Sequence, residues 1–147
     1  MQVETKTMGV VEVSDEQVVH IPAGLLGFAD YHDFVLIDSK LKPLIWLQSL
    51  EESALAFLLI DPFIIREDYE ADIDDEDLAK IGIKDPSEVL LLAIITAQEG
   101  SPATANLRGP LIINKRNHEC MQAVLSDSKW QTKHDIIASL SQQQEAK

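Results

Sequence analysis

Between Glu67 and Asp77, eight of eleven residues are acidic and none is basic. Carboxylates this dense suit either a divalent cation or a basic partner. Spacing excludes an EF-hand. With Asp72, Asp74 and Glu76 as its first three side-chain ligands, Asp77 stands where the turn needs glycine and Ile83 where a bidentate Glu is required. A small divalent-cation-dependent enzyme using the cluster in some other arrangement remains the alternative class. For a basic partner, the run supplies a local field that steers encounter. Asp74, Asp75, Glu76 and Asp77 also suit the first turn of a helix, where carboxylates oppose the dipole favourably. That bland role does not cover Glu67, Asp68, Glu70 and Asp72, which precede the helix. Asp68, Glu70 and Asp72 alternate, so in an extended segment they share one side and repel each other. Glu67, Asp68, Glu70, Asp72, Asp74 and Asp75 are therefore the candidate partner-binding residues.

Other reactive types are poorly placed. His20, His32, His118 and His134 lie far apart, without HxH or HxxxH spacing. His118 and Cys120 would share one face of a strand, but a thiolate–imidazole nucleophile needs an orienting group and an oxyanion donor that the sequence does not offer. G-x-S-x-G, G-x-G-x-x-G and G-x-x-x-x-G-K are absent. No catalytic residue, metal site or cofactor is expected. Phe28, Tyr31 and Phe34 recur every three residues, as a short helical face or as core plugs under the Gly24–Gly27 loop. Asp61-Pro62-Phe63 reads as a turn closing a strand.

The elements that must position these residues belong to one domain. The chain has 147 residues, 46% hydrophobic and 25% charged, which fits one globular unit. Its 25 acidic and 12 basic residues give a net charge of −13. The run at 67–77 carries eight of the negative charges, so the excess is local. A chain this acidic repels nucleic acid and anionic membrane, and direct binding to either is not expected. One cysteine excludes an internal disulfide. The N-terminus lacks a basic region followed by an apolar stretch. No apolar run exceeds the length of Val89–Ile95, which is far shorter than the roughly 20 residues of a spanning helix. A cytoplasmic location fits these features.

Short β-branched and apolar runs dominate the body. Val10–Val13 and Val18–Ile21, separated by four polar residues, predict a hairpin. Phe34–Asp38, Leu44–Leu50, Ala56–Ile60, Val89–Thr96, Leu111–Asn114 and Glu119–Leu125 predict six further strands. A mainly β barrel or sandwich follows. One helix is well signalled, with Asp74 as N-cap, Ile73 and Leu78 at the staple positions, Ile81 on the same face, and Gly82 past the end. Asp85-Pro86-Ser87-Glu88 predicts a single further turn. The segment 135–147 reads as a polar, Gln-rich tail.

Several segments, taken in order, resemble the flagellar assembly factor FliW family. They are His20-Ile-Pro-x-Gly24-Leu-Leu-Gly27-Phe28, Phe34-Val-Leu, Trp46-Leu-Gln48-Ser49, Ala56-Phe57, Asp61-Pro62-Phe63, Asp68-Tyr69-Glu70-x-Asp72, Thr104-Ala105-Asn106-Leu107-x-x-Pro110-Leu-Ile-Ile-Asn114 and Thr132-Lys133-His134. Any one is weak; eight in the same order are specific. The resemblance as a whole covers about residues 1–134, which gives the domain boundary. Three departures stand out. Ala71 holds a position where the family pattern carries an aromatic. Glu119-Cys120-Met121 replaces a more basic strand. The end after His134 lacks the usual Pro-Leu.

The resemblance implies a compact antiparallel β-barrel with one or two short helices, and an adaptor rather than an enzyme. Proteins similar to this bind flagellin in the cytoplasm and also bind CsrA, a small dimeric RNA-binding repressor, which they stop from silencing flagellin mRNA. It also makes Glu70 the first choice for an energetic contact, flanked by Asp68 and Asp72. A groove near Phe28, Phe57 and Phe63 is the candidate seat for a helical flagellin terminus. The third possibility is an acidic adaptor with an unrelated basic partner.

Overall fold

The computed structural model describes residues 1–97 and 100–136. Its strands are β1 (Gln2–Glu4), β2 (Val10–Glu12), β3 (Val18–His20), β4 (Asp33–Asp38), β5 (Ile45–Ser49), β6 (Ala56–Ile60), β7 (Val89–Thr96), β8 (Thr104–Ala105), β9 (Leu111–Asn114), β10 (Cys120–Gln122) and β11 (His134–Asp135). Two short helices, α1 (Pro62–Ile65) and α2 (Asp75–Lys80), lie between β6 and β7.

The longer strands form where the apolar runs predict them. Both faces of their sheet are covered, which is why the runs are continuous rather than alternating. Side chains of adjacent strand residues point to opposite faces. Leu59 and Leu92 accordingly join a core with Val19, Phe34, Leu47 and Leu111. Their neighbours Ile60 and Ala93 join a second core with Ile65, Tyr69, Leu107 and Trp130.

Two expectations are corrected. The hairpin of Val10–Val13 with Val18–Ile21 does not form. β2 pairs instead with β1, placing Val11 opposite Val3, and β3 pairs with β4, placing Val19 opposite Phe34. The polar linker is a 3-10 turn at Asp15–Gln17, in which the Ser14 N–H donates to the Gln17 side-chain oxygen at 2.9 Å. The Gln17 amide donates in turn to the Leu36 carbonyl at 3.0 Å, tying the turn to β4. The barrel does not close either. The main sheet runs β10-β9-β7-β6-β5-β4-β3, with β8 on β7 and β11 on β8. Its ends, β3 and β10, have three residues each and meet through one isolated parallel bridge, His20 to Glu119. One bridge is not a ladder, so the described residues form an open antiparallel sheet.

α2 follows its signals. It starts after Asp74 and ends in a Schellman turn, with the Gly82 N–H on the Ala79 carbonyl and the Ile83 N–H on the Leu78 carbonyl, both at 3.0 Å. Gly82 has φ +73°, which favours glycine. The turn at Pro86–Glu88 is a single 3-10 turn. Of the segment 135–147, Asp135 pairs with Thr104 and Ile136 is buried in the second core. The remainder lies outside the described residues.

Candidate functional site

The acidic segment is an extended stretch pinned to the second core. Burial alternates along it: Tyr69 is buried and Ala71 and Ile73 half-buried, while Asp68, Glu70, Asp72 and Asp74 are exposed. Apolar side chains inward and carboxylates outward is the pattern its sequence dictates. Tyr69 is the pin. Its hydroxyl donates to the Leu107 carbonyl at 2.7 Å, and its ring packs edge-on against Trp130 at 4.8 Å and Phe63 at 5.8 Å. Burial pushes the phenol up to about 12, so it keeps its proton.

The carboxylates are not equivalent. Asp68 is held by the Arg66 fork, with Nε at 2.8 Å and the terminal nitrogen at 2.7 Å, and by Lys129 Nζ at 3.0 Å. Arg66 first, and Lys129 second, hold its carboxyl well below the usual carboxylate range. Both cations also lie over the Trp130 ring, 5.4 and 4.9 Å from its centroid. The charge of Asp68 is thus answered locally, as is that of Asp77 by Lys80 at 3.0 Å. Glu67, Glu70, Asp72, Asp74, Asp75 and Glu76 are exposed and form no ion pair among the described residues. Beyond the Arg66–Asp68–Lys129 cluster, the outward field comes mainly from 70 to 76. Sequence spacing could not show this, because Lys129 lies 61 residues from Asp68. Among the described residues, no group of three or more His, Cys, Asp or Glu side chains is arranged to hold a metal ion.

On the inward side, the segment borders a cleft of about 580 Å³. Ala71, Ile73, Leu78, Ile83, Val89 and Leu91 supply its apolar lining. Asp75, Lys84 and Asp85, all exposed, stand at its edge. Ala71 therefore departs from the family pattern at the wall of a cavity. A smaller cleft of about 110 Å³ lies between Asp72, Asp74 and Asp77 on one side and Val124, itself 68% exposed, on the other.

The three candidate phenylalanines divide between two places. Phe28 rests edge-on against Phe57 at 5.1 Å, and Phe57 packs against the first core. Phe63, on α1, rests on Tyr69 beside the acidic segment. Phe28, Tyr31 and Phe34 form no helical face, since Phe34 lies on β4 and Phe28 in the preceding loop. His118 and Cys120 share no strand. His118 occupies a turn with φ +63°, and Cys120 is fully buried at the start of β10, where desolvation raises its thiol to about 12.

The model of the FliW protein family matches residues 2–136. A flagellar assembly factor FliW from Treponema denticola is 51% identical over 142 residues, covering 96% of this chain and 97% of that one. Its counterpart from Treponema pallidum is 46% identical, covering 97% and 95%. A crystal structure of a flagellar assembly factor FliW superposes with a TM-score of 0.85 at 34% identity, covering 92% of this chain and 96% of that chain. Matched over nearly its whole length in both sequence and fold, the chain belongs to the FliW family.

Proposed function

We propose that this protein is a cytoplasmic flagellar assembly factor that acts by binding. Its partners are flagellin and a CsrA-type RNA-binding repressor. While flagellin occupies the factor, the repressor is free; once flagellin is exported, the factor sequesters the repressor and flagellin translation resumes. The observation that carries this reading is the row of exposed, unpaired carboxylates from Glu70 to Glu76 on a segment anchored by Tyr69. A repressor that grips RNA phosphates is basic where it does so. An acidic surface that does not trace the RNA path docks beside that site and disfavours RNA through its field and through coupling. Coupling is reciprocal, so RNA weakens the factor's binding by the same factor.

Calorimetric titration of the repressor dimer at two salt concentrations, with and without its RNA, tests this. Tight binding that weakens with salt and with RNA is the expected result. Unchanged affinities with RNA and factor bound together would overturn the mechanism, and no binding at either salt would overturn the partner.

A further inference from the structure

The acidic segment has two sides, and the electrostatic one is only half of it. Ala71 and Ile73 open inward on the cleft of about 580 Å³, while Glu70, Asp72 and Asp74 point outward from the same stretch. We propose that this cleft receives one or two aliphatic side chains of the basic partner that the carboxylates attract. The inference rests on the reading that a basic protein docks on this segment.

Three observations carry it. The lining is aliphatic and half-buried, so it has apolar surface still to lose to a partner. The side chain at 71 is a single methyl, which leaves space at that wall of the cleft. The charged residues that line it are two aspartates, Asp75 and Asp85, against one Lys84, and the exposed carboxylates of Glu70, Asp72 and Asp74 belong to the same stretch of chain that supplies Ala71 and Ile73 to its wall. A partner segment with leucine, isoleucine, valine or methionine at its centre and lysine or arginine at its flanks complements both features. An acidic-flanked segment would be repelled. The two halves of such an interface do different work. Carboxylates steer encounter and are screened by salt, whereas a buried aliphatic anchor slows dissociation and survives salt.

Methyl-labelled protein titrated with the purified repressor dimer provides the test. In the wild type, the methyl resonances of Ile73, Leu78, Ile83 and Leu91 shift on saturation, and those of the deep-core Leu47 and Leu59 do not. Ala71→Phe places a ring in the part of the cleft next to the segment. It speeds dissociation by about tenfold and weakens the affinity that persists at ~0.5 M salt. Binding that leaves the four residues unmoved overturns the cleft proposal while the acidic-segment reading stands. Dissociation of Ala71→Phe at the wild-type rate does the same. Shifts that depend on protein concentration without repressor would assign the cleft to a second copy of this chain, and also overturn it. Absence of binding at any salt brings down both readings. If Ala71→Phe does not fold, the wild-type methyl titration decides alone.

Discussion

The Tyr69 hydroxyl and the Leu107 carbonyl meet at 2.7 Å inside the second core, and this one bond ties the acidic segment to the loop that precedes β9. Both residues are essentially inaccessible to water. Removing the hydroxyl strands a buried acceptor, which costs about 1–3 kcal/mol. Tyr69→Phe should therefore lower the urea midpoint without changing the slope of the transition. The ring, which packs on Trp130 and Phe63, is retained, so the fold should survive. Wild-type stability in that variant would mean that water replaces the lost donor.

Glu70 and Asp68 sit two residues apart on one side of the segment, yet substituting them should have different consequences. Glu70 has no ion-pair partner among the described residues, so Glu70→Lys should leave thermal stability within a degree or two. It should slow association with a basic partner and flatten the dependence on salt. Asp68 already answers Arg66 and Lys129. Asp68→Ala should change association less per unit of charge and disturb the packing of both cations over Trp130. Stopped-flow association rates at several ionic strengths separate the two. Equal effects on the association rate would show that local pairing does not matter to the field.

Asp68 also gives the acid limb of stability a direction. Its folded carboxyl lies below its unfolded one because Arg66 and Lys129 favour the charged form. A depressed carboxylate stabilises the fold at pH above the unfolded value of about 3.9, and that stabilisation is lost as pH falls towards the folded value. Asp68→Asn should be less stable than the wild type at pH 6, and the gap should narrow steadily below about pH 4. Urea melts between pH 6 and 2 measure it. A gap of constant size across that range would assign the difference to packing rather than ionisation.

Much of the fold was legible because strands such as Ala56–Ile60 and Val89–Thr96 are short, continuous and bounded by turn residues. α2 was legible because Asp74 and Gly82 mark its ends. β1, β8 and β11 were not, since two or three residues with no apolar run carry no period. Pairing was harder than placement. Val10–Val13 has the pattern of a strand whichever neighbour it takes, and its pairing with β1, like that of β3 with β4, has no local signal in the sequence. The sequence Asp61-Pro62-Phe63 carries the signal of a turn but is too short to announce α1, which Asp61 caps by accepting the Phe63 N–H at 2.9 Å. At the candidate site, the outward alternation of carboxylates follows directly from sequence. The neutralisation of Asp68 does not, because Lys129 reaches it from a distant loop. The cleft beside Ala71 needs the same three-dimensional information, as its walls come from three separate elements.

Gly24 tests the loop that carries the first family motif. Its φ is +69°, and a Cβ built there would lie 2.5 Å from the Ala29 Cα. The left-handed conformation alone costs an L-residue about 1–2 kcal/mol. The clash is with backbone, which cannot swing aside as a flexible side chain would, so the cost should exceed that figure. Gly27 has φ +83° but open space around it, so an added methyl there meets only the conformational cost. Gly24→Ala should therefore destabilise clearly more than Gly27→Ala, although both belong to one loop. The loop also seats Leu25 in the first core and Phe28 against Phe57, so the larger loss should loosen that end of the core as well. Parallel thermal melts of the two variants decide it. Equal losses would show that the backbone at Ala29 yields, and that the close approach at Gly24 is not what makes glycine necessary there.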